Sequence, residues 1–259
     1  MTMIFKQTGL VLDISRRAYP PEAIKAFISF IKQSGGQFLL LHLSDDENYK
    51  LESELLGQQP AAGAKPEANG LYLNPVTGKS YLSKTQVADI VAHAAAEGIE
   101  LIPEVGSPGH MGGIFALYGA KYGQDALIDG FKNSYNEMRY TTPSSIKFVQ
   151  DLYAEVAVMF PGIKTIHIGG DEHGATYNET YNQEFVDYAN TQAAYLKTLG
   201  LKARMWNDGV MSSTMDKLDK TIEIMFWAWD GDKPDEREQL IKIRAGMDEI
   251  IKAGFTVYN

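Results

Sequence analysis

The chain has no cysteine among its 259 residues. That excludes disulfides, thiolate nucleophiles and zinc–thiolate sites, and is compatible with either a reducing or an exporting compartment. No apolar run approaches the roughly 18–20 residues of a membrane-spanning helix. Positive charge is scarce: 24 Lys and Arg stand against 33 Asp and Glu, a formal net charge of −9. A nucleic-acid groove would need a basic stripe, so that partner class is set aside. The balance suits a neutral or cationic substrate. The five histidines lack the paired spacing of a zinc helix, so no metal is expected. The opening MTMIFKQTG lacks the charged start and long apolar core of a signal peptide. The expectation is a secreted or extracellular protein whose signal peptide is absent from this sequence, with the cytoplasm left open.

What is present is an alternation of short apolar runs and helical periods. Apolar runs at Gly9 to Ile14, Gln37 to Leu43, Ile99 to Pro103, Ile163 to Ile168, Lys202 to Trp206, Thr221 to Trp227 and Gly254 to Asn259 read as strands. Helices are expected between them. One starts at Pro20-Pro21 and stops at Gly35-Gly36; others cover Ser83 to Glu97, Pro143 to Met159, Asn178 to Leu199 and Pro234 to Ala253. Gln58 to Lys79 reads as a long loop with a small hairpin, and Ala116 to Thr142 as an elaborated connection. Strand-helix alternation implies a parallel sheet with right-handed crossovers. The preferred architecture is a (β/α)8 TIM barrel; an open doubly wound sheet is the runner-up, disfavoured because no Gly-rich phosphate loop follows the first strand. A barrel has eight strands and the sequence given stops within the seventh. The expectation is therefore one catalytic domain over residues 1–259, truncated within the seventh strand.

The stretch Thr165 to Gly174, TIHIGGDEHG, is the chemical centre of the sequence. An apolar strand runs into two glycines and then into adjacent carboxylates, Asp171 and Glu172. Such a pair is costly unless the charges are separated or one holds a proton. Arg16, Asp45, Glu104, Asp171, Glu172, Trp206 and Trp227 all fall at or just past strand ends, which in a TIM barrel form the active-site face. The three tryptophans, Trp206, Trp227 and Trp229, stand beside acids in WND and WAWDGD. Aromatic rings beside carboxylates suit the apolar and hydroxylated faces of a sugar; core or rim packing is the alternative for each ring. Neighbours such as Asp171 and Glu172 do not easily flank a glycosidic bond from opposite sides. A better division of labour makes Glu172 the general acid and lets Asp171 polarise a substrate group that itself attacks, such as a 2-acetamido carbonyl.

The segments GLVLDISRRAY, SGGQFLLLHLSDDENY, LYLNPVTGKSYLS, GIELIPE, HIGGDEHG, RMWNDG and FWAWDGD, in this order, resemble the family 20 glycoside hydrolases, the β-N-acetylhexosaminidases. The resemblance covers most of the chain and extends to enzymes that degrade biofilm poly-β-1,6-N-acetylglucosamine. It implies a retaining enzyme with Glu172 as acid/base and Asp171 orienting the acetamido group. Arg16 would grip hydroxyls, Trp206 and Trp227 would line the pocket, and Asp45 and His110 would support the acid. His167 is read as an orienter behind the site or a satisfied core histidine, and Glu104 as structural or as a support behind the site. Asp232 and Asp235, beside Trp229 and Asp230, are candidate contacts for a cationic polymer, with a solvated turn as the alternative. No cofactor is implied, since the substrate brings its own nucleophile. The implied partner is an N-acetylglucosamine-containing saccharide, with no nucleic acid and no membrane. A general hexosaminidase acting on chitobiose or glycoconjugates, and an inert sugar-binding barrel, are the other readings. The sequence departs from the family's E-x-D-x-P-G-H pattern in placing Gly106 where an acid stands. Without that acid, His110 is expected to lose its partner and its pKa to fall.

Overall fold

The structure is a computed structural model that describes residues 7–133, 136–174, 178–227 and 243–259. Seven strands form one wholly parallel sheet in sequence order: β1 (Gly9–Asp13), β2 (Phe38–His42), β3 (Glu100–Ser107), β4 (Thr165–Gly169), β5 (Lys202–Trp206), β6 (Glu223–Met225) and β7 (Val257–Tyr258). The sheet curls so far that the Tyr258 hydroxyl donates to Gln7 Oε1 at 3.1 Å, just ahead of β1. The order and parallel pairing of these seven strands are those of the expected TIM barrel. The helices of the connections are α1 (Pro21–Gln33), α2 (Lys84–Glu97), α3 (Gly112–Tyr122), α4 (Gln124–Gly130), α5 (Pro143–Met159), α6 (Glu179–Thr198) and α7 (Met247–Lys252). A two-stranded hairpin, Tyr72–Leu73 against Ser80–Tyr81, decorates the long loop after β2.

Local signals account for most of the boundaries. Helix α1 opens with Pro21 in its first turn, where the missing N–H is not needed, and turns Ile24, Ile28 and Ile31 inward. Helix α2 has a complete capping box between Ser83 and Gln86 and ends at Gly98 in the left-handed conformation. Two expectations need correction. Strand β3 continues past Pro103 to Ser107, so Glu104 lies inside the strand rather than just beyond it. The helix expected over Pro234 to Ala253 is not continuous in its described part. Arg244 forms an isolated antiparallel bridge with Met211, and α7 starts only after Gly246 in extended backbone.

All five residues of β2 are buried, because a parallel sheet between helices and a barrel interior is covered on both faces. Alternation still sorts them: Leu39 and Leu41 join the large core under the helices, while Phe38 and Leu40 join Ile102 and Met225 inside the barrel. Above this apolar layer, one register line is almost entirely charged. Asp13 pairs with His42, His42 with Glu104, Glu104 with His167, His167 with Arg204 and Arg204 with Glu223. Signs alternate along much of the line, so charges taken out of water find opposite charges one strand away.

The Arg204–Glu223 pair closes that line. Arg204 keeps only 2% of its side-chain surface and donates from Nη2 and Nε to Glu223 Oε2 at 2.6 and 3.0 Å. Its guanidinium stacks over the Tyr258 ring at 3.7 Å. Deleting one partner leaves a buried unpaired charge. Glu223→Ala should therefore lower unfolding free energy in urea by about 3–5 kcal/mol; a loss under about 1 kcal/mol would be that of a surface pair and would contradict the assignment.

Candidate active site

Each strand end presents its chemistry on a constrained turn. After β1, Asp13 Oδ1 accepts from the amides of Ser15 and Arg16, at 3.0 and 3.1 Å, which fixes Arg16 at the mouth. Arg16 is 47% exposed and lies 2.5 Å from Asp45 Oδ2, 2.9 Å from Asp13 Oδ2 and 3.6 Å from Glu47 Oε2. After β2, Asp45 is buried and its backbone is pinned to α3, where the Gly113 amide donates to the Asp45 carbonyl at 2.9 Å. A Cβ at Gly113 would stand 2.2 Å from Asn48, so only glycine permits this approach.

The loop after β4 carries Asp171 and Glu172. Gly169 has φ +81° and a Cβ there would be 2.7 Å from Gly106 Cα, so the backbones of β3 and β4 are in contact at the point where the loop departs. Glu172 itself has φ +43°, a conformation that costs a residue with a Cβ roughly 1–2 kcal/mol. His110 lies opposite, also at positive φ. Its Nε2 is 3.1 Å from Glu172 Oε2 and 3.8 Å from Asp171 Oδ2. One imidazole thus faces both carboxylates.

Behind His110 runs a chain of alternating imidazoles and carboxylates. His110 Nδ1 stands 3.5 Å from Asp45 Oδ1 and 3.4 Å from Asp46 Oδ2, ion-pair separations rather than well-formed hydrogen bonds. Asp45 Oδ2 meets His42 Nε2 at 2.8 Å, and His42 Nδ1 meets Glu104 Oε2 at 2.8 Å. Two carboxylates on one ring require both nitrogens to donate, so His42 is an imidazolium. Burial opposes that charge, but Glu104 and Asp45 outweigh it and push the His42 pKa up to about 11. Glu104 is completely buried, which alone would raise its pKa. His42 and His167 overcome the burial and hold it far below the usual carboxylate range.

The other oxygen of Glu104 accepts from Trp206 Nε1 at 2.7 Å and lies 3.1 Å from His167 Nδ1. Burial lowers the pKa of His167, which packs its ring 4.8 Å from that of Trp206. His167 therefore touches Glu104 and Trp206, while the group at Asp171 and Glu172 is His110. Trp227 is anchored separately. Its backbone N–H donates to Asn207 Oδ1 at 2.8 Å and its indole Nε1 to Asp208 Oδ2 at 2.6 Å.

Of the residues singled out in the sequence, Arg16, Asp45, His110, Asp171 and Glu172 form one contact group, and Trp206 and His167 attach to it through Glu104. Trp227 joins through Asp208. Asp232 and Asp235, with Trp229 and Asp230, lie outside the described residues. Sequence reasoning missed His42, Asp208 and Arg244. His42 ends an unbroken apolar run, Phe38 to Leu41, that shows no alternation to mark it. Arg244 had no local signal. The expected consequence of Gly106 is corrected: Asp45 and Asp46 face His110 Nδ1, and the Asp45 carboxylate, with Asp171 and Asp46 assisting against burial, raises the His110 pKa to about 10. Asp171 moves the other way from an ordinary acid. Burial, then the charge on Glu104, raises it to about 7, although 22% of its side chain still meets water.

Asp45, Asp46 and His110 are the one group among the described residues whose donor atoms, within 4.8 Å of one another, would fit a metal ion. A protonated imidazole has no lone pair to give a metal, and this His110 is held charged by the same two carboxylates. The chemistry of the donor set therefore favours the ion-paired state.

Because the folded pKa of His110 lies above its ordinary 6.5, its ion pairs stabilise the fold fully below that pH, and the contribution is lost as pH rises toward about 10. NMR titration should find His110 charged across about pH 6 to 8, and Asp45→Asn should lower its midpoint by at least about one unit. A wild-type midpoint near 6.5 would contradict the ion-pair account.

The sequence profile of the glycosyl hydrolase family 20 catalytic domain matches residues 5–258. A β-N-acetylhexosaminidase from Cellulomonas fimi is 27% identical over 222 residues, covering 85% of this chain and 42% of the relative. A β-hexosaminidase from Vibrio furnissii is 27% identical over 282 residues, covering 98% of this chain and 44% of the relative. The chain thus spans less than half the length of these curated relatives. Among solved structures, the crystal structure of Dispersin B superposes with a TM-score of 0.92 at 45% identity, covering 98% of this chain and 74% of that one. The charged barrel mouth, the Asp171-Glu172 turn and the match from end to end lead to one conclusion: the chain belongs to glycosyl hydrolase family 20.

Proposed function

We propose that this domain catalyses hydrolysis of β-linked N-acetylglucosamine with retention, using the substrate's own 2-acetamido group as nucleophile. The observation that carries this reading is the placement of Asp171 and Glu172. They are adjacent in sequence, and both carboxylates lie on one side of the site, 3.8 and 3.1 Å from the same His110 Nε2. Two-carboxylate glycosidases set their acid and nucleophile or base on opposite sides of the bond, about 5–9.5 Å apart. A nucleophile supplied by the substrate removes that requirement.

In the first step Glu172 gives its proton to the glycosidic oxygen while the acetamido carbonyl oxygen forms a bond to the anomeric carbon. The carbon–oxygen bond to the leaving group breaks, and a cyclic oxazolinium results. Asp171 accepts a hydrogen bond from the acetamido N–H and balances the positive charge that develops there. In the second step Glu172, now a carboxylate, takes a proton from water as that water attacks the anomeric carbon and the oxazolinium ring opens. Two inversions give retention. Trp206 and Trp227, fixed through their indole N–H groups, offer ring faces to the sugar, and Arg16 a donor to its hydroxyls. A pKa of about 7 for Asp171 means that its anionic, acetamido-binding form grows in as pH rises toward neutrality.

The likeness to Dispersin B supports poly-β-1,6-N-acetylglucosamine as the substrate, and action outside the cell is part of the same proposal. The broader hexosaminidase reading, on chitobiose or glycoconjugates, shares this chemistry.

The test is hydrolysis of aryl N-acetyl-β-glucosaminides beside the matching glucosides without the acetamido group. Turnover of the former alone is expected, and Glu172→Gln should lose about 10²–10⁴-fold on poor leaving groups. Equal turnover of both sugars, or a near-native rate for Glu172→Gln, would remove the proposed roles.

A further inference from the structure

Asp208 touches neither His110 nor Asp171 among the contacts of the site, yet it is the residue on which the acid and one pocket wall converge. It lies in the short 3-10 turn Asn207–Gly209 after β5 and is completely buried. Its Oδ1 accepts from the backbone N–H of Glu172 at 3.4 Å and faces Arg244 Nη2 at 3.2 Å. Its Oδ2 accepts from Trp227 Nε1 at 2.6 Å. The turn itself has little room to move. A Cβ on Gly209 would stand 2.1 Å from the Phe185 ring, and Asn182 Nδ2 donates to the Gly209 carbonyl at 2.9 Å, so the turn is clamped to α6.

We propose that Asp208 is the positioning residue that fixes the general acid and the Trp227 ring relative to each other. The inference rests on the role of Glu172 given above. Glu172 is held at positive φ outside any helix or strand, and Asp208 is the hydrogen-bond acceptor of its amide. Arg244 supplies a countercharge beside this buried carboxylate. Burial pushes the Asp208 pKa up and Arg244 pulls against it. The two oxygens do separate work, so an amide in place of the carboxylate has one acceptor too few. Asn at 208 serves either the Glu172 amide or the Trp227 indole.

Two readouts on the full chain test this. Misplacing a catalytic group by about 1 Å costs about 10²-fold. Asp208→Asn should lose about that factor on a 4-methoxyphenyl N-acetyl-β-glucosaminide, whose leaving group needs the acid, and under about 3-fold on the 2,4-dinitrophenyl glycoside, which departs unprotonated. Equal losses on both would overturn the proposal. The second readout is amide hydrogen exchange, which needs no turnover. The Glu172 amide should be protected in the wild type, and Asp208→Asn should speed its exchange at least about 10-fold while the β4 amides are unchanged. An unprotected Glu172 amide in the wild type overturns the proposal whether or not the variant folds. If the wild type cleaves neither glycoside, the function proposed above fails, and the exchange result alone decides the role of Asp208.

Discussion

A single carboxylate, Glu104, holds this site together. It is completely buried in β3, and an ion at that depth persists only when it is paired and hydrogen-bonded. Three groups converge on it: His42 from β2, His167 from β4 and the Trp206 indole from β5. Four consecutive strands are thereby locked in register at the level where the active-site loops depart. The cation this draws onto His42 then binds Asp45, and Asp45 serves His110 and Arg16. From Glu104 through His42 and Asp45 to His110, each charged group is thus positioned by the one before it.

The same chain explains how the site accommodates Gly106. In a linear view a missing acid leaves His110 without a partner. In the folded barrel the loop after β2 brings two acids, Asp45 and Asp46, to the same imidazole nitrogen. Gly106 meanwhile occupies the point where β3 and β4 touch backbone to backbone, against Gly169. His110 therefore faces acids from both ring nitrogens, Asp45 and Asp46 on one side and Asp171 and Glu172 on the other, and burial raises the pKa of Asp171. Trp227 and Asp208 form a second, separate anchorage, on β5 and α6 rather than on Glu104.

The order of elements was legible because glycines and prolines punctuate it. Helix α5 (Pro143–Met159) and β5 (Lys202–Trp206) fall where periodicity places them. The acids and aromatics at strand ends were legible for the same reason. Glu104 was misplaced because Pro103 reads as the end of a strand, proline being unable to donate to a ladder. Here it sits within a strand that continues for four more residues, to Ser107. His42 was hidden by β2, whose burial on both faces erases the alternation that marks an inward residue. Arg244 lay beyond reach for a different reason: it meets Asp208 only because the expected helix gives way to extended backbone at Gly246. Long-range pairs of this kind leave no periodic trace.

The central claim is that Glu104 keeps His42 doubly protonated as the link to Asp171 and Glu172. The most direct measurement is the ¹⁵N NMR spectrum of the His42 imidazole at about pH 8, well above an ordinary histidine pKa. The account predicts two protonated ring nitrogens, as the 2.8 Å contacts to Glu104 and Asp45 require. One bare nitrogen at that pH would contradict it, because a neutral His42 cannot donate to both carboxylates and the chain from Glu104 to Glu172 would be broken at its first link.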